Sequence, residues 1–430
     1  MMPSAAHSGR YDTASGTAAQ YAGLFPVYLV LAAALFNALI AIINARFKPL
    51  TGNTVIIAEI VIVIAAHLFI LRHFQNRMVN WYFLIVAIGA FAILRIASTG
   101  NADAKYFRDI FLIITFILLG MTSNERRVIQ LMAALQTFVI AGILLEAICL
   151  PCYNDLFAVK DFYINTRGLG EEEFTNLSSD LYVSATRPEA RFLPFFDLHR
   201  MSSVFLEPVS LGNFMTVTVA FTAAFWKKLG GKLQAFFVAS MILMLLACDG
   251  RLAAMASVAI LAISAGHRAM PRHSAIMFLP FVVVLAVVVA ALAGWQSGTD
   301  DLSGRIAFTV ELIQDMTVAD IFGISDRQLP QSVDAGVVYL IITQSIIGAA
   351  LIWGFITLSA NESTPEQKIY KNGVLMYLAL TMMVSYSFLS IKTAAPIWFI
   401  FGALLSGGAS EAVQVRSAPP NRHTARRPRR

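Results

Sequence analysis

Ionisable residues interrupt long apolar runs at Glu59, Arg95, Arg108, Asp109, Glu146, Glu207, Asp249, Arg251, Asp334 and Lys392. A charge placed in hydrocarbon is costly and usually functional, so the type and depth of these residues are the first clue to chemistry. In the orientation derived below, all of them fall at or near the outer ends of their runs. Snorkelling to the interface accounts for part of the set. It does not account for acids and bases gathering at the same face, whereas a water-filled chamber open to the outside does. Arginine holds phosphate oxygens in a bidentate fork, and a carboxylate beside it can act as general base towards a hydroxyl. The combination predicts phosphate-linked substrates handled at the outer membrane face. His67, nearer the inner end of its run, reads as a structural polar residue.

Other chemistries lack their residues. The chain has no P-loop, no nucleotide-binding glycine motif, no zinc-type His/Cys cluster and no Gly-x-Ser-x-Gly elbow. Chemistry driven by cytoplasmic ATP is therefore not expected within it. Cys149 and Cys152 form a Cys-x-x-Cys at the end of an apolar run. With no second pair and no His cluster they read as unpaired thiols or a local disulfide. No metal or other cofactor is expected.

The elements that must position these residues follow from composition. The 430 residues are 57% hydrophobic and 13% charged, with a mean hydropathy of +0.68. A soluble domain is nearer half apolar and a quarter charged. The apolar residues fall into runs of the length needed to cross ~30 Å of hydrocarbon as helices. They lie at about 24–45, 54–71, 81–97, 106–121, 128–150, 204–226, 232–248, 251–266, 275–295, 334–357, 372–390 and 393–408. An all-α, polytopic membrane protein with about twelve transmembrane helices is predicted. The first twenty residues predict no cleavable signal peptide.

Orientation comes from basic residues in the short loops. With the N-terminus inside, the inner segments hold Arg72 and Arg77, Arg126 and Arg127, Lys227, Lys228 and Lys232, Arg268 and Arg272, then Lys368 and Lys371. Both termini are expected in the cytoplasm: a tail over 1–23 and a basic tail over 409–430 whose arginines suit anionic lipid rather than nucleic acid. Helices 1–5 (24–150), 6–9 (204–295) and 10–12 (334–408) are then separated by two long outer loops, 151–203 and 296–333. Long loops in a compact protein are usually functional. The first carries Glu171, Glu172 and Glu173 and a run of aromatics, Phe157, Phe162, Tyr163, Phe174, Tyr182, Phe192, Phe195 and Phe196. These could stack on sugar faces or form the loop's own small core. The second carries Ser303-Gly304-Arg305 and an apolar-periodic stretch to Ile321 that predicts an interfacial helix.

The segment Arg200-Met-Ser-Ser-Val-Phe-Leu-Glu207-Pro-Val-Ser-Leu-Gly212 resembles the signature that opens the middle spans of Wzy-type polysaccharide polymerases, which share a superfamily with the O-antigen ligases. Asp249-Gly-Arg251 is similar to that family's Ser-Arg turn between two short spans. Gly304-Arg305, with Gly323 beyond it, resembles the amphipathic segment of its second large loop. Asp334, followed by Tyr339-Leu340 and Gly348, looks like the start of the next span. The motifs cover about 200 to 355, and the topology resembles the family over the whole chain. Two features depart from it: Gly250 stands where Ser is frequent, and the second long loop lacks the His that the ligases place there. Among the polymerases the chain looks most like the xanthan-type exopolysaccharide enzymes.

The resemblance implies a glycosyltransferase of the bacterial inner membrane acting at its periplasmic face. Its substrates would be oligosaccharide repeat units linked to undecaprenyl diphosphate, joined into an exopolysaccharide by moving the growing chain from its carrier onto an incoming unit. A chain-length co-polymerase and a flippase are the protein partners it implies, and neither metal nor nucleotide is needed. Within it, Arg200, Arg251 and Arg305 would neutralise the diphosphate. Glu207, then Asp334, are the candidates for the base, and His199, Asp249, Arg108 and Arg95 are further substrate contacts. Ligase-like single transfer and a twelve-helix secondary transporter are the alternative readings.

Overall fold

The computed structural model describes residues 12–47, 49–170, 174, 180–185, 199–299 and 301–417, without the side chains of 12–22 and 406–417. Glu171, Glu172, Glu173, Phe192, Phe195, Phe196, the first eleven residues and the arginines from Arg422 onward lie outside the described residues. The described residues are mostly helical, with no strand among them. In chain order the helices are α1 (Asp12–Ala34), α2 (Phe36–Arg46), α3 (Gly52–Arg72), α4 (Val79–Thr99), α5 (Lys105–Met121) and α6 (Glu125–Ile148). Two short helices follow in the first long loop, α7 (Leu150–Phe157) and α8 (Val159–Arg167). Next come α9 (Pro208–Phe225), α10 (Gly231–Cys248), α11 (Arg251–Gly266) and α12 (Phe278–Ala293), then α13 (Leu302–Gln314) and α14 (Val318–Ile321) in the second loop. The chain ends with α15 (Gly336–Ser359), α16 (Pro365–Thr381) and α17 (Ile391–Ser417).

Among the described residues seven helices are long and apolar enough to cross a membrane, and α1 with α2 makes an eighth if that pair, bent by 62°, is one span. The chain is a multi-pass membrane protein. Four further ranges expected to span are also helical but shorter: α5, α11, α16 and the apolar part of α17, Ile391–Leu405. The expectation of twelve therefore exceeds what helix length alone supports. The shortfall has a physical origin, because α5 and α17 are central. From Ile110 to Met121 all but Phe111 are buried in α5, so this helix is solvated by protein instead of lipid. Its contact with α17 is a backbone approach. A Cβ on Gly120 would collide with the carbonyl of Phe399, and one on Gly402 with the carbonyl of Ile117. Small residues that bring backbones together are how helices associate where lipid removes the hydrophobic drive. On the periphery, α3 and α4 instead expose Ile57, Val61, Leu68, Phe83 and Val86, as a lipid-facing surface requires.

Several breaks interrupt this bundle. The α15 helix is broken at Ser345, which takes φ 63° and ψ 163°. Between α16 and α17 the chain is unwound over 382–390 apart from one 3-10 turn. Non-helical backbone is tolerated at such depth only where protein or a water-filled cavity satisfies its polar groups. The 382–390 segment borders a cavity that both long loops help to enclose. The stretch of the second loop expected to be helical forms α13 and α14. Cys149 and Cys152 are joined as a disulfide at the start of α7. His67 stacks on Phe111 at 4.9 Å and contacts the Val63 carbonyl, which is a structural setting.

Candidate functional site

The turn before α9 is built around one buried carboxylate. Glu146, near the end of α6, accepts from the backbone N–H groups of Ser202 (2.9 Å) and Ser203 (2.8 Å), and its other oxygen lies 3.0 Å from His199 Nε2. Tyr153 donates to the Ser203 carbonyl at 2.6 Å, and Ser203 Oγ donates to the Val139 carbonyl. Those bonds hold two non-glycine residues, Ser203 and Leu206, at positive φ, a conformation that persists only when its surroundings enforce it. Arg200 enters the turn and Glu207 leaves it as the residue preceding Pro208, the first residue of α9. Proline at that position lacks the N–H that would be orphaned there anyway.

Arg200 is aimed by backbone acceptors: its Nε donates to the Cys248 carbonyl at 3.0 Å and a terminal nitrogen donates to the Ser184 carbonyl at 3.3 Å. Asp249 caps α10 in the left-handed region (φ 47°), which turns the chain sharply so that Arg251 opens α11 beside Arg200. Gly250 lies close to Cys248 and Ala253, with room for little more than a small side chain. From the second loop, Asp301 caps α13 by accepting from Gly304 N–H at 2.8 Å, and Arg305 follows one turn later, 3.4 Å from Asp334.

These groups line two adjoining compartments. The smaller, about 150 Å³, is bounded by Arg200, Asp249, Arg251, Asp301 and Arg305. The larger, about 690 Å³, is bounded by Glu59, Lys105, Arg108, Asp109, Arg167, Glu207, Arg305, Asp334 and Lys392. Ser184, Val209, Arg305, Ser385 and Ser387 line both. The larger volume is in the range of small-molecule sites.

The charges in the larger compartment are organised in pairs. Glu207 receives four donors: Lys392 Nζ at 2.6 Å, Ser210 Oγ at 2.7 Å, Tyr163 OH at 2.9 Å and Arg167 at 3.0 Å. Burial alone would raise its carboxyl, but Lys392 and Arg167 more than reverse this and hold it well below the usual carboxylate range. Burial, joined by the Glu207 charge, pushes the Tyr163 phenol up in turn. Arg108 bridges Glu59 at 3.0 Å and Asp109 at 2.8 Å. Asp334 differs, because its side chain is 54% exposed and its ion pair with Arg305 is long.

The structure thus brings Arg200, Asp249, Arg251, Arg305, Glu207, Asp334 and Arg108 to one site of two adjoining compartments. His199 and Arg95 are not among its lining residues. His199 is turned onto Glu146, and Arg95 pairs with Asp326 beneath the ring of Tyr106. Sequence reasoning did not select Arg167, Lys105 or Tyr386 as site residues. Arg167 and Lys105 sit in polar stretches where a basic residue is unremarkable, and Tyr386 sits in an apolar run. Lys392 carried a signal, a lysine at the end of an apolar run, that pointed to the chamber without giving it a role. Comparison with family models, with curated proteins and with solved structures returned no match.

Proposed function

We propose that the chain is a membrane glycosyltransferase that polymerises diphosphate-linked oligosaccharide repeat units, of the kind carried on undecaprenyl diphosphate, at the outer face of a bacterial inner membrane. The observation that carries this reading is the meeting of Arg200, Arg251 and Arg305, contributed by two loops and a helix start, in a compartment next to an exposed carboxylate. Convergent guanidinium groups suit the oxygens of a diphosphate leaving group. The resemblance of the 200–212, 249–251 and 304–334 segments to Wzy-type polymerases supports the same reading.

In the reaction the acceptor hydroxyl oxygen forms a bond to the anomeric carbon of the growing chain. The bond from that carbon to the diphosphate oxygen breaks, and its electron pair leaves on the diphosphate, where the three arginines offset the charge. The acceptor proton passes to a carboxylate. Asp334 suits that step better than Glu207, because a base must have a lone pair to spare and Glu207 already accepts from four donors. Glu207 then organises Lys392 and Arg167 in the chamber wall.

The test supplies proteoliposomes of the purified chain with lipid-linked repeat units and separates the products on a gel. A ladder of multiples is expected, and Asp334→Asn should remove it. Unchanged single units from correctly inserted wild-type protein would overturn the polymerase reading.

A further inference from the structure

The unwound segment between α16 and α17 places an aromatic ring at the junction of the two compartments. Tyr386 lies between Ser385 and Ser387, each of which lines both, and its own half-buried ring lines the larger one. The ring is fixed in two ways. Tyr339 of α15, which does not line the cavity, stacks against it with ring centres 4.6 Å apart and planes 15° from parallel. Lys105 Nζ donates to the Tyr386 hydroxyl at 3.2 Å. The backing ring is anchored as well, since the Tyr339 hydroxyl donates to Asp109 at 2.6 Å and Asp109 is held by Arg108 at 2.8 Å.

We infer that Tyr386 is a stacking platform for a pyranose ring of the saccharide, set beside the compartment that takes the diphosphate. This rests on the polymerase reading and adds to it the subsite that holds the sugar. An aromatic face takes the apolar C–H face of a sugar well when the ring is already immobile, because little ordering entropy remains to be lost on binding. The neighbours select a saccharide over the polyprenyl tail: hydroxyl-bearing serines flank the ring, and the Lys105 ammonium lies over it, 4.9 Å from the ring centre. Anchoring at Asp109 also gives the buried Arg108–Asp109–Tyr339 chain a purpose that charge neutralisation alone does not.

The experiment measures binding of two probes to the purified full chain in detergent: farnesyl diphosphate, which has no sugar, and lipid-linked repeat units extracted from the source cells. Tyr386→Ala is expected to weaken repeat-unit binding by about tenfold and to leave farnesyl diphosphate binding unchanged, which also shows that the variant is folded. Tyr386→Phe keeps the ring and should bind repeat units within about twofold of wild type. If Tyr386→Ala binds both probes as wild type does, or loses both equally, the platform is overturned while the polymerase reading stands. If wild type fails to bind farnesyl diphosphate, the diphosphate reading itself falls and the platform falls with it.

Discussion

Glu207 is ion-paired to Lys392 and Arg167, and the cost of disturbing it differs from its part in catalysis. Removing one member of a buried pair leaves an uncompensated charge and typically costs about 3–5 kcal/mol, and Lys392 is buried beside it. Glu207→Gln is therefore expected both to abolish polymerisation and to lower the thermal unfolding temperature in detergent. The double change Glu207→Leu with Lys392→Met should recover part of that stability, Arg167 still lacking its carboxylate, without recovering activity. A double variant as unstable as the single one would show that the pair is not the origin of the loss. Arg251→Ala should abolish activity with membrane insertion and unfolding temperature close to wild type, read by the gel assay beside a melting curve. Near-normal ladders in Arg251→Ala would place the diphosphate elsewhere. The pairing itself was not legible in the sequence: Lys392 lies 185 positions from Glu207, and no local spacing relates them.

Among the elements, α5 and α17 depend on their glycines. Gly120→Leu or Gly402→Leu would force a side chain into the facing helix's carbonyl, and neither helix backbone can give way without opening the core. Each substitution should sharply reduce the yield of folded protein in detergent, measured by size-exclusion profile, whereas Gly230→Leu, at a site with open space around it, should not. The second long loop carries a pH dependence of definite sign. Burial alone would raise the Asp320 carboxyl, but hydrogen bonds from the Thr317 N–H (2.9 Å) and hydroxyl (2.7 Å), with Arg327 at 3.1 Å, lower it to about 2. An unfolded aspartate titrates near ~3.9, so between these values the unfolded loop binds more protons and stability rises with pH. The contribution is complete above the unfolded value and is lost as pH falls through about 2. Hydrogen exchange over 315–327 should accelerate in acid accordingly, and the acceleration should be absent in Asp320→Asn. The helical character of this loop could be read from its apolar period. The break in α15 at Ser345 could not, because nothing in that run of apolar residues marks it.

For the whole molecule, both long loops contribute to one cavity, while Lys228 with Glu125 and Lys371 with Glu362 and His273 tie together loops that the basic-residue pattern assigns to the inner side. In intact cells a membrane-impermeant maleimide should label Ser303→Cys and not Lys228→Cys, each made in a background lacking Cys149, Cys152 and Cys248. Labelling of Lys228→Cys alone would invert the orientation.

Composition and run length by themselves determined that this is an all-helical, multi-pass membrane protein, because hydrocarbon admits few other ways to satisfy a backbone. The depth of the charges likewise announced a polar chamber, since an acid or base at the end of an apolar run needs water or a partner. Which charges face that chamber was decided by tertiary structure alone. Glu146 and His199 turned away to hold the strained turn, Arg95 went to Asp326, and Arg167 and Lys105 came in from the end of α8 and the start of α5. Hydropathy records the cost of placing a residue in lipid, but partner choice depends on which helix ends meet, and that is settled by packing such as the α5–α17 contact. The number of spans belongs to the same category: helices enclosed by other helices need not meet the length and hydropathy that lipid demands of peripheral ones.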